Sequence, residues 1–327
     1  MSPMPYTPAR PGARFLAVVG IGWVLLGIAA FWYAQLKGIP ALVALPAAAA
    51  FLIEFPFYLL PGFHPDWLKR PEFLTVSCIL PYLIYSIPTG QFRVSACLSL
   101  VLIALTLSFW YKVLPNTAPS DLLFIALAAS LYLAKVFDGI YTSPIPKVPF
   151  SVLGHIMLIR TCAIAMLAIR GGVNAEFRFM PRRDEAIAGL RWFAMMLPAV
   201  AASLWTVGLW HIKTNPNLPA GIATFFGILW VTALSEEFFF RGLLQQWIGK
   251  WIGKWTGSAI AAVIIASILF GSVHLGWNHS FPNWRFATVA TIFGLFCGLC
   301  FRQTRSVQAS MITHALGATL YRVFFTN

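Results

Sequence analysis

Apolar runs of membrane length follow one another along nearly the whole chain, at 15–36, 41–60, 73–89, 94–111, 121–136, 151–169, 192–211, 220–246, 258–276, 286–301 and 307–325. One helix needs about 20 apolar residues to cross about 30 Å of hydrocarbon. The pattern therefore predicts an all-α, polytopic transmembrane helical bundle of about 11 spans, range 9–11. The first run follows Arg10 and Arg14, but it is longer than a signal-peptide core and no small-residue cleavage site follows, so it reads as a helix. One sizeable polar segment, Arg170 to Arg191, interrupts the pattern with both charge signs and Pro181. It divides an N-terminal multi-span region, 1–170, from a C-terminal core, 192–327, by a linker over 171–191. Within that linker Asp184 to Trp192 is expected to form a short interfacial helix, its arginines toward headgroups.

Composition sharpens this reading. The 327 residues are 59% hydrophobic and 10% charged, against about 25% charged in a typical soluble domain, which excludes a water-soluble globule. The net charge of +13 does not point to nucleic acid, because no basic run alternates with loop-borne aromatics. It fits positive loops instead: Lys and Arg favour the loops on the N-terminal side by 14 to 6, which puts the N-terminus in the cytoplasm. Cys78, Cys97, Cys162, Cys297 and Cys300 all lie in apolar runs and read as small buried hydrophobes. Trp32, Tyr33, Trp110 and Tyr111 stand near span ends, where a headgroup belt places them.

An ionisable group within a span costs roughly 2.5–3.5 kcal/mol on insertion scales, so it persists where it pairs or works. The densest such site is Ser235-Glu236-Glu237-Phe238-Phe239-Phe240-Arg241-Gly242. Glu237 and Arg241 are four apart, share a helix face and can form an ion pair. Glu236 is turned away from that pair, and a carboxylate with no partner in its own helix is suited to hold or activate a water if other polar groups meet it. His274, at the end of the next apolar run, and His314, within the last, are the candidates. They would act either as zinc ligands with an activated water or as a metal-free base and oxyanion-stabilising set. In the N-terminal region Glu54 and Arg160 are expected to pair with each other. His155 and His211 are expected at the interface, and His279 in a solvated loop.

Glu236-Glu237-x-x-x-Arg241, then Phe270-x-x-x-His274, then His314 resembles the signature of the CAAX prenyl protease and bacteriocin-processing (CPBP) family, the type II CAAX endopeptidases. Phe240-Arg241-Gly242, the segment from Ser267 to Phe270, and the glycines Gly294 and Gly298 fit as well, and the likeness covers roughly 184–327. The resemblance implies an intramembrane endopeptidase that hydrolyses a peptide bond of a membrane-associated peptide or protein, lipidated or not. It implies that Glu236 activates the water with help from His274, that His314 stabilises the oxyanion, and that Glu237 and Arg241 support them. The enzyme is expected to be of the glutamate type with no metal, the alternative being Zn held by Glu236, His274 and His314. One departure matters: the family usually has Asn or Asp four residues after the last histidine, and this chain has Ala318. Losing one oxyanion donor typically costs 10²–10³ in rate. Asn278, Asn283 and Gln308 are candidate substitutes, and a non-catalytic membrane-binding, scaffold or immunity protein is the alternative reading. In the span map His274 falls near one membrane face and His314 nearer the other, so a shared site requires tilted, broken or reassigned helices.

Overall fold

A computed structural model describes residues 13–36, 38–59, 66–145, 148–171, 181–216, 218–256 and 259–325. Arg10, the linker residues 172–180 and the side chains of Arg14, Tyr33, Asn278 and His279 lie outside the described residues. The protein is all-helical: among the described residues the only β-type pairing is the isolated bridge between Ile212 and Phe325. Among the described residues five helices are long and apolar enough to cross a membrane, Val94–Val113, Ser151–Arg170, Arg183–Thr206, Ala259–Trp277 and Trp284–Thr304. Three shorter apolar helices accompany them, Val19–Trp32, Ala41–Glu54 and Ala118–Leu133. Large apolar side chains stand exposed on their flanks, for example Val94, Leu98, Leu102 and Leu105 on one helix. Bands of this size fit acyl chains, not water.

The chain divides into two compact units, Met1–Gly172 and Val173–Asn327. The first contains α1 (Ala13–Leu36), α2 (Ala41–Leu59), α3 (Pro71–Ser86), α4 (Val94–Val113), α5 (Ala118–Leu133), α6 (Val136–Ile140) and α7 (Ser151–Ile164), the last continuing as a π-helical stretch over Ala165–Arg170. Its interior is organised by an ion pair between fully buried side chains. Arg160 of α7 donates from Nε to Glu54 Oε2 on α2 at 2.7 Å and from Nη2 to Oε1 at 2.9 Å. The remaining donors reach Ser77 Oγ and the Ser77 carbonyl on α3, and the guanidinium lies 4.4 Å from the Phe57 ring centroid. One bidentate fork thus ties three helices together, as the isolated charges in separate runs suggested. Arg170 likewise holds Asp121 of α5 at 2.8–3.1 Å. Near span ends, His155 packs half-buried against the rings of Tyr132 and Phe137, and Tyr111 is buried against Phe124.

The second unit contains α8 (Arg183–Thr206), α9 (Leu218–Gly227), α10 (Leu234–Glu237), α11 (Gln246–Thr256), α12 (Ala259–Ser272), α13 (Trp284–Thr304) and α14 (Val307–Phe324). The expected interfacial helix over Asp184 to Trp192 is not separate: it is the first turns of α8. Glu185, at the third helical position, reaches back to accept from the Arg182 backbone N–H at 2.7 Å, and the helix runs from Arg183 without a break to Thr206. Between α9 and α11 the chain stays helical but changes pitch. Ile228–Ala233 and Phe238–Gln245 are π-helical, leaving α10 as a four-residue α segment between them. After Ser272 the helix tightens to 3₁₀ over Val273–His279 before the chain turns back into α13. The α12–α13 pair is close: a Cβ on Gly271 would lie 2.6 Å from the Ala287 carbonyl oxygen, so only glycine fits. α14 is joined to α8 by Thr313 Oγ1 donating to the Gly189 carbonyl at 3.0 Å. The far end of α14 is tied back by Lys213 N donating to the Phe324 carbonyl at 2.7 Å.

Arg160→Met leaves Glu54 buried without its cation and is expected to cost about 3–5 kcal/mol. Glu54→Leu combined with Arg160→Met should recover most of that loss. Unfolding of the purified variants in detergent, followed by circular dichroism, measures both.

Candidate active site

The two glutamates of α10 have opposite surroundings. Glu237 is fully buried and both its oxygens are occupied. Oε1 lies 2.8 Å from His314 Nδ1, while Oε2 accepts from Arg241 Nε at 3.1 Å and from Ser310 Oγ at 2.5 Å. Arg241 follows at i+4 and still shares the face of Glu237 although the helix has passed into its π-helical stretch. Ser310 and His314 are also four apart, on α14, so one turn of that helix grips both ends of the carboxylate. Ser310 Oγ lies in addition 3.0 Å from the Cys297 carbonyl of α13. The Arg241 guanidinium sits 5.5 Å from the Phe270 ring centroid. Gly294 and Gly298 leave the room it needs: a Cβ on Gly294 would stand 3.3 Å from Arg241 Nη2, and one on Gly298 only 2.9 Å from Gln245 Oε1.

Glu236 projects instead into a cleft of about 120 Å³ within the second unit, which His274 and His314 also line. Its side chain is 21% exposed, yet Oε2 is buried and has no hydrogen-bond partner among the described residues. The group facing it is His314 Nε2 at 3.8 Å, beyond direct hydrogen-bond range. His314 thus stands between the carboxylates, Nδ1 toward Glu237 and Nε2 toward Glu236. His274 points Nδ1 at the Phe270 carbonyl, 2.8 Å away. A carbonyl only accepts, so that nitrogen carries the proton, and in the neutral ring Nε2 keeps a free lone pair. Phe270 spaces the two histidines, its ring centroid 4.8 Å from that of His274 and 5.8 Å from that of His314. The difference in depth expected from the span map is absorbed by the break at the end of α12: His274 lies in the 3₁₀ stretch, and α14 brings His314 to the same cleft.

α14 lines the cleft with His314, Gly317, Ala318, Leu320, Tyr321 and Arg322, and Phe325 follows at its C-cap. Ala318 therefore occupies the position where the resemblance placed an amide or carboxylate, and it contributes only a methyl group to the cleft. Two of the three substitutes named for it are used elsewhere. Asn283 caps α13, accepting from Phe286 N and donating to the Trp277 carbonyl. Gln308 is buried in the first turn of α14 beside Ser306. Asn278 falls outside the described side chains.

Glu236, His274 and His314, the trio of the zinc alternative, are not the cluster in which possible ligand atoms converge. Among the described residues those are Glu237, Cys297 and His314, within 4.8 Å of one another. Their chemistry suits a cation poorly, because both Glu237 oxygens already receive N–H and O–H donors and the Arg241 charge stands beside them. Ser310 is a member of this network that the motifs did not single out. Its signal was present in the sequence as a hydroxyl one turn before His314, but many helices carry a serine there.

No curated protein and no solved structure matches the chain. Residues 218–320 match the model of a family described as Rce1-like, type II CAAX prenyl endopeptidase. That segment is just under a third of the chain and contains Glu236, Glu237, Arg241, His274 and His314. It is the family whose motifs these residues resembled, and the likeness is confined to residues 218–320.

Proposed function

We propose that this integral membrane protein is an intramembrane endopeptidase of the glutamate type, acting on a membrane-associated peptide or protein. The observation that carries the reading is a carboxylate, Glu236, with a buried and unpartnered oxygen on the wall of a cleft that two histidines share. A water held by Glu236 gives up a proton to it and attacks the carbonyl carbon of the scissile bond. His274, its Nε2 lone pair free, helps to orient and deprotonate that water. With Nδ1–H given to Glu237, a His314 ring that also carries a proton at Nε2 offers a charged donor to the developing oxyanion. The proton taken from water is then returned to the leaving nitrogen as the C–N bond breaks. No covalent acyl-enzyme forms. The reaction runs without a metal in this reading, which rests on the donors and the arginine that already satisfy Glu237. The membrane arrangement proposed is about 11 crossings with the N-terminus in the cytoplasm, the runs of sub-spanning length being accommodated by tilt and local thinning.

Glu236→Gln should lower kcat for peptide cleavage by about 10³-fold, within the range of general acid–base contributions. The assay uses the full chain in nanodiscs with prenylated and unprenylated peptides. Undiminished cleavage by the variant would refute the glutamate mechanism, and no cleavage by wild type in either series would favour a binding or scaffold protein. Treatment with a zinc chelator should leave the rate unchanged; loss of activity restored by added zinc would overturn the metal-free reading. Stability separates the two glutamates: Glu237→Ala strands a buried arginine and should cost about 3–5 kcal/mol. Glu236→Ala should stay within about 1 kcal/mol, both read from thermal unfolding in detergent.

A further inference from the structure

Two cleft-lining residues carry a buried polar atom with no hydrogen-bond partner among the described residues: Glu236, through an acceptor, and Trp277, through its Nε1–H donor. A buried indole N–H ordinarily finds a partner, and leaving one unmet costs free energy. Burial of such a donor on the wall of a cleft is explained if its partner is a ligand. Trp277 is held for that task. It belongs to the 3₁₀ stretch Val273–His279, where residues three apart eclipse, so His274 and Trp277 stand on one face. The two rings are 6.0 Å apart, and the indole stacks on Phe286 at 5.0 Å with 7° between the planes. Its carbonyl accepts from Asn283 Nδ2 and from the Ser280 N–H, both at 3.3 Å, which fixes the backbone beneath the ring.

We propose that the Trp277 indole N–H is a catalytic hydrogen-bond donor to the carbonyl oxygen of the scissile bond, supplying the donor that Ala318 cannot. This rests on the hydrolytic reading above. As the water oxygen bonds to the carbonyl carbon, the carbonyl π electrons move onto oxygen and the N–H bond accepts none of them. Its hydrogen bond strengthens toward the growing charge and relaxes when the oxygen lone pair re-forms the carbonyl and the C–N pair leaves with the protonated nitrogen. A donor kept from solvent needs no reorganisation when the charge appears, which is where such groups contribute most. His314 and Trp277 then act together, one from α14 and one from the turn after α12.

The test uses the full chain in nanodiscs. Trp277→Phe keeps the ring and removes the donor, and should lower kcat about 100-fold with little change in KM. Ala318→Asn placed in the Trp277→Phe background should restore at least 10-fold of that loss, since it returns a donor to the same cleft; a merely structural role for the indole would not be rescued this way. A kcat within threefold of wild type for Trp277→Phe overturns the proposal, as does loss without rescue. A second readout stands apart from turnover. A peptide carrying a phosphinate in place of the scissile bond mimics the tetrahedral centre, and on binding it should shift one indole ¹⁵N–H resonance downfield, the one missing from Trp277→Phe. Binding of the phosphinate without that shift overturns the donor role even where cleavage is intact. If wild type cleaves nothing, the hydrolytic reading fails and the resonance alone decides the donor.

Discussion

The second unit depends on a buried negative charge that cannot be left alone. Glu237 is removed from solvent, and an unpaired carboxylate there would be costly. Donors from its own helix and from α14 meet it, and the serine among them lies beside a carbonyl of α13. Each of those contacts has a short reach and a preferred direction. Satisfying all of them fixes the rotation of α14 about its axis and its height against the helical run from α9 to α11. The orientation of His314 follows, and with it the relation of Nε2 to Glu236.

The same geometry explains how adjacent identical residues come to differ. Successive positions on a helix point about 100° apart, so when Glu237 faces the packed interior, Glu236 must face elsewhere, and here that is the cleft. One carboxylate is spent on architecture with all its hydrogen-bonding capacity used. The other keeps an unmet oxygen in a largely apolar chamber, where an electrostatic interaction is stronger than in water. A division of this kind lets the reactive carboxylate vary in protonation or partner without unsettling the helices that carry it.

Much of this was legible in the sequence, and the parts that were not share a cause. Helical runs could be read from apolar length, and the Glu237–Arg241 and Glu54–Arg160 pairs from the cost of a lone charge in lipid, because these depend on local spacing or on there being few partners to choose from. Span boundaries near Asp184 and the end of α12 were not legible: Glu185 caps one polar turn onto α8, and His274 lines the cleft from a 3₁₀ stretch that no periodicity announced. Ser310, Trp277 and the convergence of Cys297 with Glu237 and His314 depend on which faces of separate helices meet. Periodicity places a residue on a face but does not say what that face will touch. The depth conflict between His274 and His314 was itself informative, since it required the irregularity that the structure contains.

The π-helical stretches on either side of α10 carry a consequence for reading related sequences. In a π turn the hydrogen bond spans one more residue than in an α turn, so each stretch holds residues that a regular helix of the same path would lack. Relatives with a plain helix here would need a small gap on one or both sides of the paired glutamates to superpose. Because the spacing from Glu237 to Arg241 is that of the signature these residues resemble, such a gap would fall before Glu236 or beyond Arg241.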